Sequence, residues 1–144
     1  MKKYKQGIFI PLNKQKYIGT IPIKYRSSLE LKVFRWIDYN KNIYSWGSES
    51  VIIPYISPVD NRAHRYFVDL NVTLINNNAY EKYLIEIKPH SQTLAPSFSK
   101  RKKESTMLYE TATYSINQAK WAAANEWCKK NNYKFLIFTE KHIK

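Results

Sequence analysis

The chain has 144 residues, 44% of them hydrophobic, with 24 Lys+Arg against 11 Asp+Glu and a formal charge of +13, so it has the apolar mass for one folded domain and the basic excess that favours a polyanion. No run approaches the roughly 18 apolar residues that span a bilayer, and the apolar stretch before Pro11 is too short for a signal peptide, so a soluble intracellular protein is expected, with no membrane association. A single cysteine, Cys128, excludes an internal disulfide and a cysteine zinc cage, and three glycines leave no phosphate-binding glycine loop, so no nucleotide cofactor is expected.

Residues 1–24 are lysine-rich, with prolines at 11 and 22, and read as an extended basic arm. Helical spacing of Leu29, Val33, Phe34, Trp36 and Ile37 predicts a helix from Ser27 to about Asn40, where Asn-Lys-Asn breaks it. Ile43 to Tyr55 predicts one or two strands with a turn at Gly47-Ser48, followed by a loop around Asp60 to Arg62. Arg65 to Ile75 alternates Tyr66, Val68, Leu70, Val72 and Leu74 with Phe67, Asp69, Asn71 and Thr73, and Lys82 to Lys88 repeats the pattern. The three asparagines 76–78 turn these two strands into an antiparallel hairpin. Residues 89–106 form a long polar loop with a basic run, Lys100, Arg101, Lys102 and Lys103. A helix over about Leu108 to Lys130, stopped by Asn131-Asn132, then leads to a short buried strand, Lys134 to Thr139, so that strand, helix and strand make a parallel βαβ unit. The fold class is α/β, with a central mixed β-sheet flanked by helices.

Four side chains interrupt these patterns. Glu30 completes Ser27-x-x-Glu30, the spacing of a capping box, yet it also lies on the stripe of Val33, Phe34 and Ile37 that faces the sheet. Asp69 sits in an otherwise apolar strand, where aspartate is disfavoured unless paired, bound to a metal or on an edge facing solvent. Glu86 and Lys88 are two apart and share one strand face. If residues 76–79 form the hairpin loop, Ile75 pairs with Tyr80 and Asp69 falls opposite Glu86; a slip of two places it opposite Lys88. Opposed carboxylates repel unless a cation lies between them. Phosphodiester hydrolysis calls for such a set, because a Mg²⁺ ion on one or two carboxylates generates a nucleophilic water and offsets the charge that builds on phosphorus. Asp69, Glu86 and the backbone carbonyl of Ile87 supply oxygens for it, and Lys88 stands beside them.

Asp69, then Glu86-x-Lys88 across a hairpin, with Glu30 on a preceding helix, resembles the PD-(D/E)xK nuclease superfamily. The surrounding residues 25–30, 65–69, 85–89, 117–121 and 135–141 resemble the head-completion nucleases of T4-like tailed phages, relatives of the TnsA-type transposon endonucleases. The resemblance covers about residues 20–142, and Val68 stands where the superfamily motif has proline. It implies a restriction-endonuclease-like core over residues 25–144, Asp69 and Glu86 as metal ligands, Glu30 as an accessory acid near the metal, Lys88 as the catalytic lysine and Mg²⁺ as cofactor, with Mn²⁺ able to substitute. Gln118 matches a glutamine that some branches use to contact the site; it also reads as a solvated helix amide. His90 and the run Lys100 to Lys103 are candidates for DNA phosphate, against the plain reading of an exposed loop. The expected activity is a Mg²⁺-dependent, structure-selective DNA endonuclease in head completion or DNA end processing. DNA and phage capsid, portal or neck proteins are the expected partners, in the host cytoplasm or the virion. The rival readings are a non-catalytic DNA-binding virion protein and a TnsA-like transposon endonuclease.

Overall fold

The computed structural model describes residues 6–143. Four strands form the central sheet: β3 (Ile43–Ser48), β6 (Leu70–Asn76), β7 (Ala79–Ile87) and β8 (Lys134–Phe138), in that spatial order. β6 runs antiparallel to both β3 and β7, and β8 lies parallel to β7. Helix α1 (Ser28–Tyr39) and helix α2 (Glu104–Asn131) each pack a separate core. Leu31, Val33, Phe34 and Ile37 of α1 join Leu70, Val72, Ile85 and Ile87 in one cluster, while Trp121, Ala124 and Cys128 of α2 join Val68 and Leu84 in the other. Burial pushes the Cys128 thiol up to about 11, so it packs as an inert hydrophobe.

The hairpin register is the one that the asparagine turn predicts: Ile75 pairs with Tyr80 and Leu70 with Ile85. Its turn is tighter than expected, because Asn76 still pairs with Ala79 and only Asn77 and Asn78 turn, with φ of 51° and 64°. Asparagine tolerates that left-handed region, which a two-residue hairpin requires at both positions.

Four expectations are corrected. The strand over 65–75 is two strands: β5 (Ala63–Phe67) pairs with β4 (Ile52–Ile56) in a separate sheet, and the chain bends at Val68 and Asp69 before entering β6. Alternation persists through the bend, so periodicity alone does not reveal a change of sheet. Gly47-Ser48 is not a turn but lies within β3; the turn falls one residue later, at Glu49, with φ 54°. Gly47 serves a close approach instead, since a Cβ there would lie 2.5 Å from the Ile18 carbonyl oxygen. Helix α2 starts at Glu104 rather than Leu108, its first turn being polar and therefore silent in the apolar pattern.

The fourth correction concerns the basic arm. Its first five residues lie outside the described residues, but from Gly7 it forms a ribbon of β1 (Gly7–Phe9) and β2 (Ile23–Tyr25). Phe9 and Ile23 are buried in the α1 cluster. The Asp38 carboxylate, 2% exposed, accepts the Leu12 and Asn13 N–H groups at 2.8 and 3.1 Å. The Lys16 ammonium donates to the carbonyls of Ile37, Asp38 and Asn40 at 3.0, 2.9 and 2.8 Å. Helix α1 has no basic residue in its own last turn, and Lys16 supplies the cation that its C-terminal carbonyls attract.

Candidate active site

β6 and β7 deliver the acidic pair. Asp69 occupies the bend just before β6, so the ladder no longer pairs its backbone with Glu86; its side chain continues the ladder instead, Oδ2 accepting the Ile87 N–H at 2.8 Å. Burial and the like charge of Glu86 raise the Asp69 carboxyl well above the ordinary carboxylate range, and the Ile87 N–H opposes this. Glu86 is 4% exposed, and its Oε1 accepts the Tyr66 hydroxyl at 2.6 Å. Burial, with the Glu86 charge beside it, drives the Tyr66 hydroxyl strongly upward, so it remains a proton donor. Lys88 follows two residues on the same face, with Nζ 3.6 Å from Glu86 Oε2. Asp69, Glu86 and Lys88 therefore meet as their spacing predicts.

Glu30 stands apart from the pair. The Ser27 hydroxyl accepts the Glu30 N–H at 3.1 Å and donates to its Oε2 at 3.4 Å, while Oε1 accepts the Arg26 N–H at 3.1 Å. This is a capping arrangement in which the carboxylate reaches the residue before the N-cap. Burial raises its carboxyl, against the Arg26 N–H and guanidinium. Glu30 thus caps α1 as its spacing predicts, and its charge adds to the upward push on the Asp69 carboxyl. No group of three or more His, Cys, Asp or Glu side chains close enough to hold a metal occurs among the described residues.

Four neighbours of this site, Arg26, Glu49, Tyr66 and Lys120, escape sequence reasoning. Arg26 makes a two-pronged pair with Glu49, at 2.9 and 3.4 Å, and the Glu49 N–H donates to the Asp69 carbonyl at 3.0 Å. Glu49 thus ties Arg26 to the Asp69 bend. The Lys120 ammonium lies 5.5 Å from the Tyr66 ring centroid. Of these only Tyr66, three residues before Asp69, carries a sequence signal, its proximity to the acidic motif.

The remaining candidates separate. Gln118 is exposed on α2, whereas its neighbour Asn117 is 4% exposed. His90 presents its backbone N–H, not its ring, to Glu140 Oε1 at 2.8 Å. Lys100, Arg101 and Lys103 are exposed, but the Lys102 ammonium is held by the Ser97 carbonyl at 2.9 Å and Glu110 at 2.8 Å.

An acidic pair, Glu86 buried and Asp69 half-buried, with an adjoining lysine on a mixed sheet between two helices, is the arrangement of a PD-(D/E)xK-like nuclease core. Residues 40–140 match the TnsA-like endonuclease N-terminal family, and the chain belongs to that family. Over 142 residues it is 34% identical to the head completion nuclease of Enterobacteria phage T4, a match that covers 96% of this chain and 93% of that one. It is accordingly a deoxyribonuclease of the head-completion kind. Nucleases of this group generally depend on a metal ion, and no helix among the described residues is long and apolar enough to cross a membrane.

Proposed function

We propose that the protein is a Mg²⁺-dependent DNA endonuclease that selects DNA by structure rather than by base sequence and trims ends or branches during phage head completion. The juxtaposition of Asp69, Glu86 and Lys88 carries this reading. Asp69 Oδ2 and Glu86 Oε1 are engaged by Ile87 and Tyr66, which leaves Asp69 Oδ1 without a hydrogen bond and Glu86 Oε2 with only the Lys88 ammonium among the described residues. Two repelling carboxylates, each with one uncommitted oxygen, fit a hard divalent cation that completes its shell with water and phosphate. Asp69 and Glu86 would hold a Mg²⁺ ion, or Mn²⁺ in its place, and the chemistry supplied when it is bound would be acidification of water and Lewis-acid stabilisation of the phosphate.

The protein's own groups do the rest. The Ile87 N–H and the Tyr66 hydroxyl fix the rotation of the two carboxylates, so no reorganisation is needed when substrate arrives. The Lys88 ammonium offsets the charge that develops on the phosphate oxygens. Binding comes from phosphate contacts that carry no sequence information, so selectivity rests on how easily a strand leaves the stack, which favours flaps, forks and frayed ends. The setting would be the host cytoplasm and the virion, with capsid, portal or neck proteins as partners.

The test is cleavage of supercoiled, branched, flapped and single-stranded DNA with Mg²⁺ or Mn²⁺, against the Lys88→Ala variant. Faster cutting near junctions than in smooth duplex, lost in the variant, is expected. Intact DNA throughout would overturn the metal-dependent reading and favour a virion structural protein; equal rates on all forms would overturn the selectivity.

A further inference from the structure

The segment between β7 and α2 encloses, against the first half of α2, a cavity of about 580 Å³. This lies within the range of about 300–1,000 Å³ that small-ligand sites occupy. Leu94 and Pro96 line it from the loop and Tyr109 and Tyr114 from α2, while its polar lining includes the amides of Gln92 and Asn117, hydroxyls from both walls and the Lys102–Glu110 pair, whose charges offset each other. Asn117 is 4% exposed, lines the cavity and makes no side-chain hydrogen bond among the described residues. Its amide atoms are not among the fully buried unpaired ones, so they keep contact with solvent, and the carbonyl and NH₂ together suit a ligand edge that carries both donors and acceptors. Tyr109, 72% exposed, offers a free aromatic face. Gln92 is four residues from Lys88, so at full extension their Cα atoms are at most about 14 Å apart. The same loop carries the exposed Lys100, Arg101 and Lys103, which can hold the phosphates flanking whatever enters.

A planar ligand with mixed hydrogen-bonding edges, attached to phosphates and brought close to a phosphodiester-cleaving site, is a nucleobase of the substrate strand. We propose that this cavity receives one unpaired base of the DNA, stacked against Tyr109 and hydrogen-bonded by Asn117. The pocket deepens the structure-selective reading and rests on it: a base already free in a flap or fork enters without the unstacking cost that a paired base incurs.

The experiment uses the full chain with chelator present, so that binding is read apart from cleavage. Flapped and single-stranded oligonucleotides carry an abasic analogue or 2-aminopurine at successive positions. An abasic residue at one position near the junction should weaken binding about 5- to 160-fold, the range of a lost base-aromatic stack. 2-Aminopurine at that position should change its emission on binding. Tyr109→Ala should weaken binding of normal DNA by a similar factor and abolish the abasic effect. Because Tyr109 is largely exposed, this variant separates loss of the pocket from loss of the fold; Asn117→Ser, checked by thermal melting, should alter which base is preferred. Position-independent binding, or an unchanged affinity in Tyr109→Ala, would overturn the pocket. Failure of the pocket with flaps still cut faster than duplex leaves the selective nuclease standing. A positional abasic effect together with equal cleavage of flap and duplex supports the pocket and removes the selectivity.

Discussion

Two lysine-rich segments flank the nuclease core, and they use their charge in opposite ways. The ribbon before α1 places Lys16 under the carbonyls that end the helix and returns its backbone N–H groups to Asp38. Its exposed side chains include Ile8, Ile10, Leu12, Ile18 and Ile21, so that the exposed Lys14 and Lys24 stand singly among apolar groups rather than in a run. The loop before α2 commits Lys102 to Ser97 and Glu110 and leaves Lys100, Arg101 and Lys103 in solvent. A lysine that finds helix-end carbonyls serves the fold, whereas one that finds no acceptor stays available to DNA. Net charge counts both kinds alike.

The reference for that contrast is the reaction centre, which belongs to neither segment. Asp69→Asn or Glu86→Gln should lower the cleavage rate by about 10³-fold or more, roughly 4 kcal/mol of barrier, while DNA affinity in chelator stays close to the parent's. Normal cleavage by either variant at saturating Mg²⁺ would remove that residue from the site. Asparagine is the better replacement at 69, because it still accepts the Ile87 N–H that alanine would orphan.

Within the ribbon, Asp38→Ala leaves two backbone donors without their carboxylate and should cost about 3 kcal/mol of stability, read from urea denaturation. Lys16→Met should cost about 1 kcal/mol and leave the salt dependence of DNA binding unchanged. A large fall in DNA affinity at unchanged stability would break the comparison. Removal of residues 1–20 should likewise act through the fold, since it deletes β1 and the Asp38 and Lys16 contacts.

Neutralising Lys100, Arg101 and Lys103 together should flatten the slope of log K against log salt by up to about 2.7, at about 0.9 per duplex phosphate contact, with stability unaltered. Adding Lys102→Ala to the triple variant should change the slope little and loosen the loop instead. An unchanged slope in the triple variant would make this loop as structural as the ribbon.

The smallest effect concerns the start of the loop. The His90 N–H holds the Glu140 carboxyl below its ordinary range. A depressed carboxyl stabilises the fold above its unfolded pKa, and that contribution disappears as pH falls through the folded value. Glu140→Gln should therefore show a flatter loss of stability on the acid side than the parent, with the two converging at the lowest pH; parallel curves would show that the contact carries no weight.

Much of this architecture was legible in local chemistry. The helix from Ser27 followed from apolar spacing and a cap, the hairpin register from the asparagine turn, and the meeting of Asp69, Glu86 and Lys88 from the two-residue period of a strand. The parallel neighbour of β7 followed from an intervening helix of sufficient length. These inferences succeed because they depend on residues adjacent in sequence or joined by one short turn.

What the tertiary structure alone decided are contacts between distant segments. The bend at Val68 and Asp69 exists because Val51 and Glu49 bond that backbone, and no alternation of side chains records a partner so far along the chain. Lys16 and Asp38 look like solvated charges until the ribbon folds over α1. The choice between Gln118, exposed, and Asn117, buried beside a cavity, rests on which face α2 turns toward the sheet and the loop, since adjacent residues point about 100° apart around a helix. Local propensity determines which element each segment forms; long-range hydrogen bonds and the packing of one face determine which of its polar side chains meet water, a neighbour or substrate.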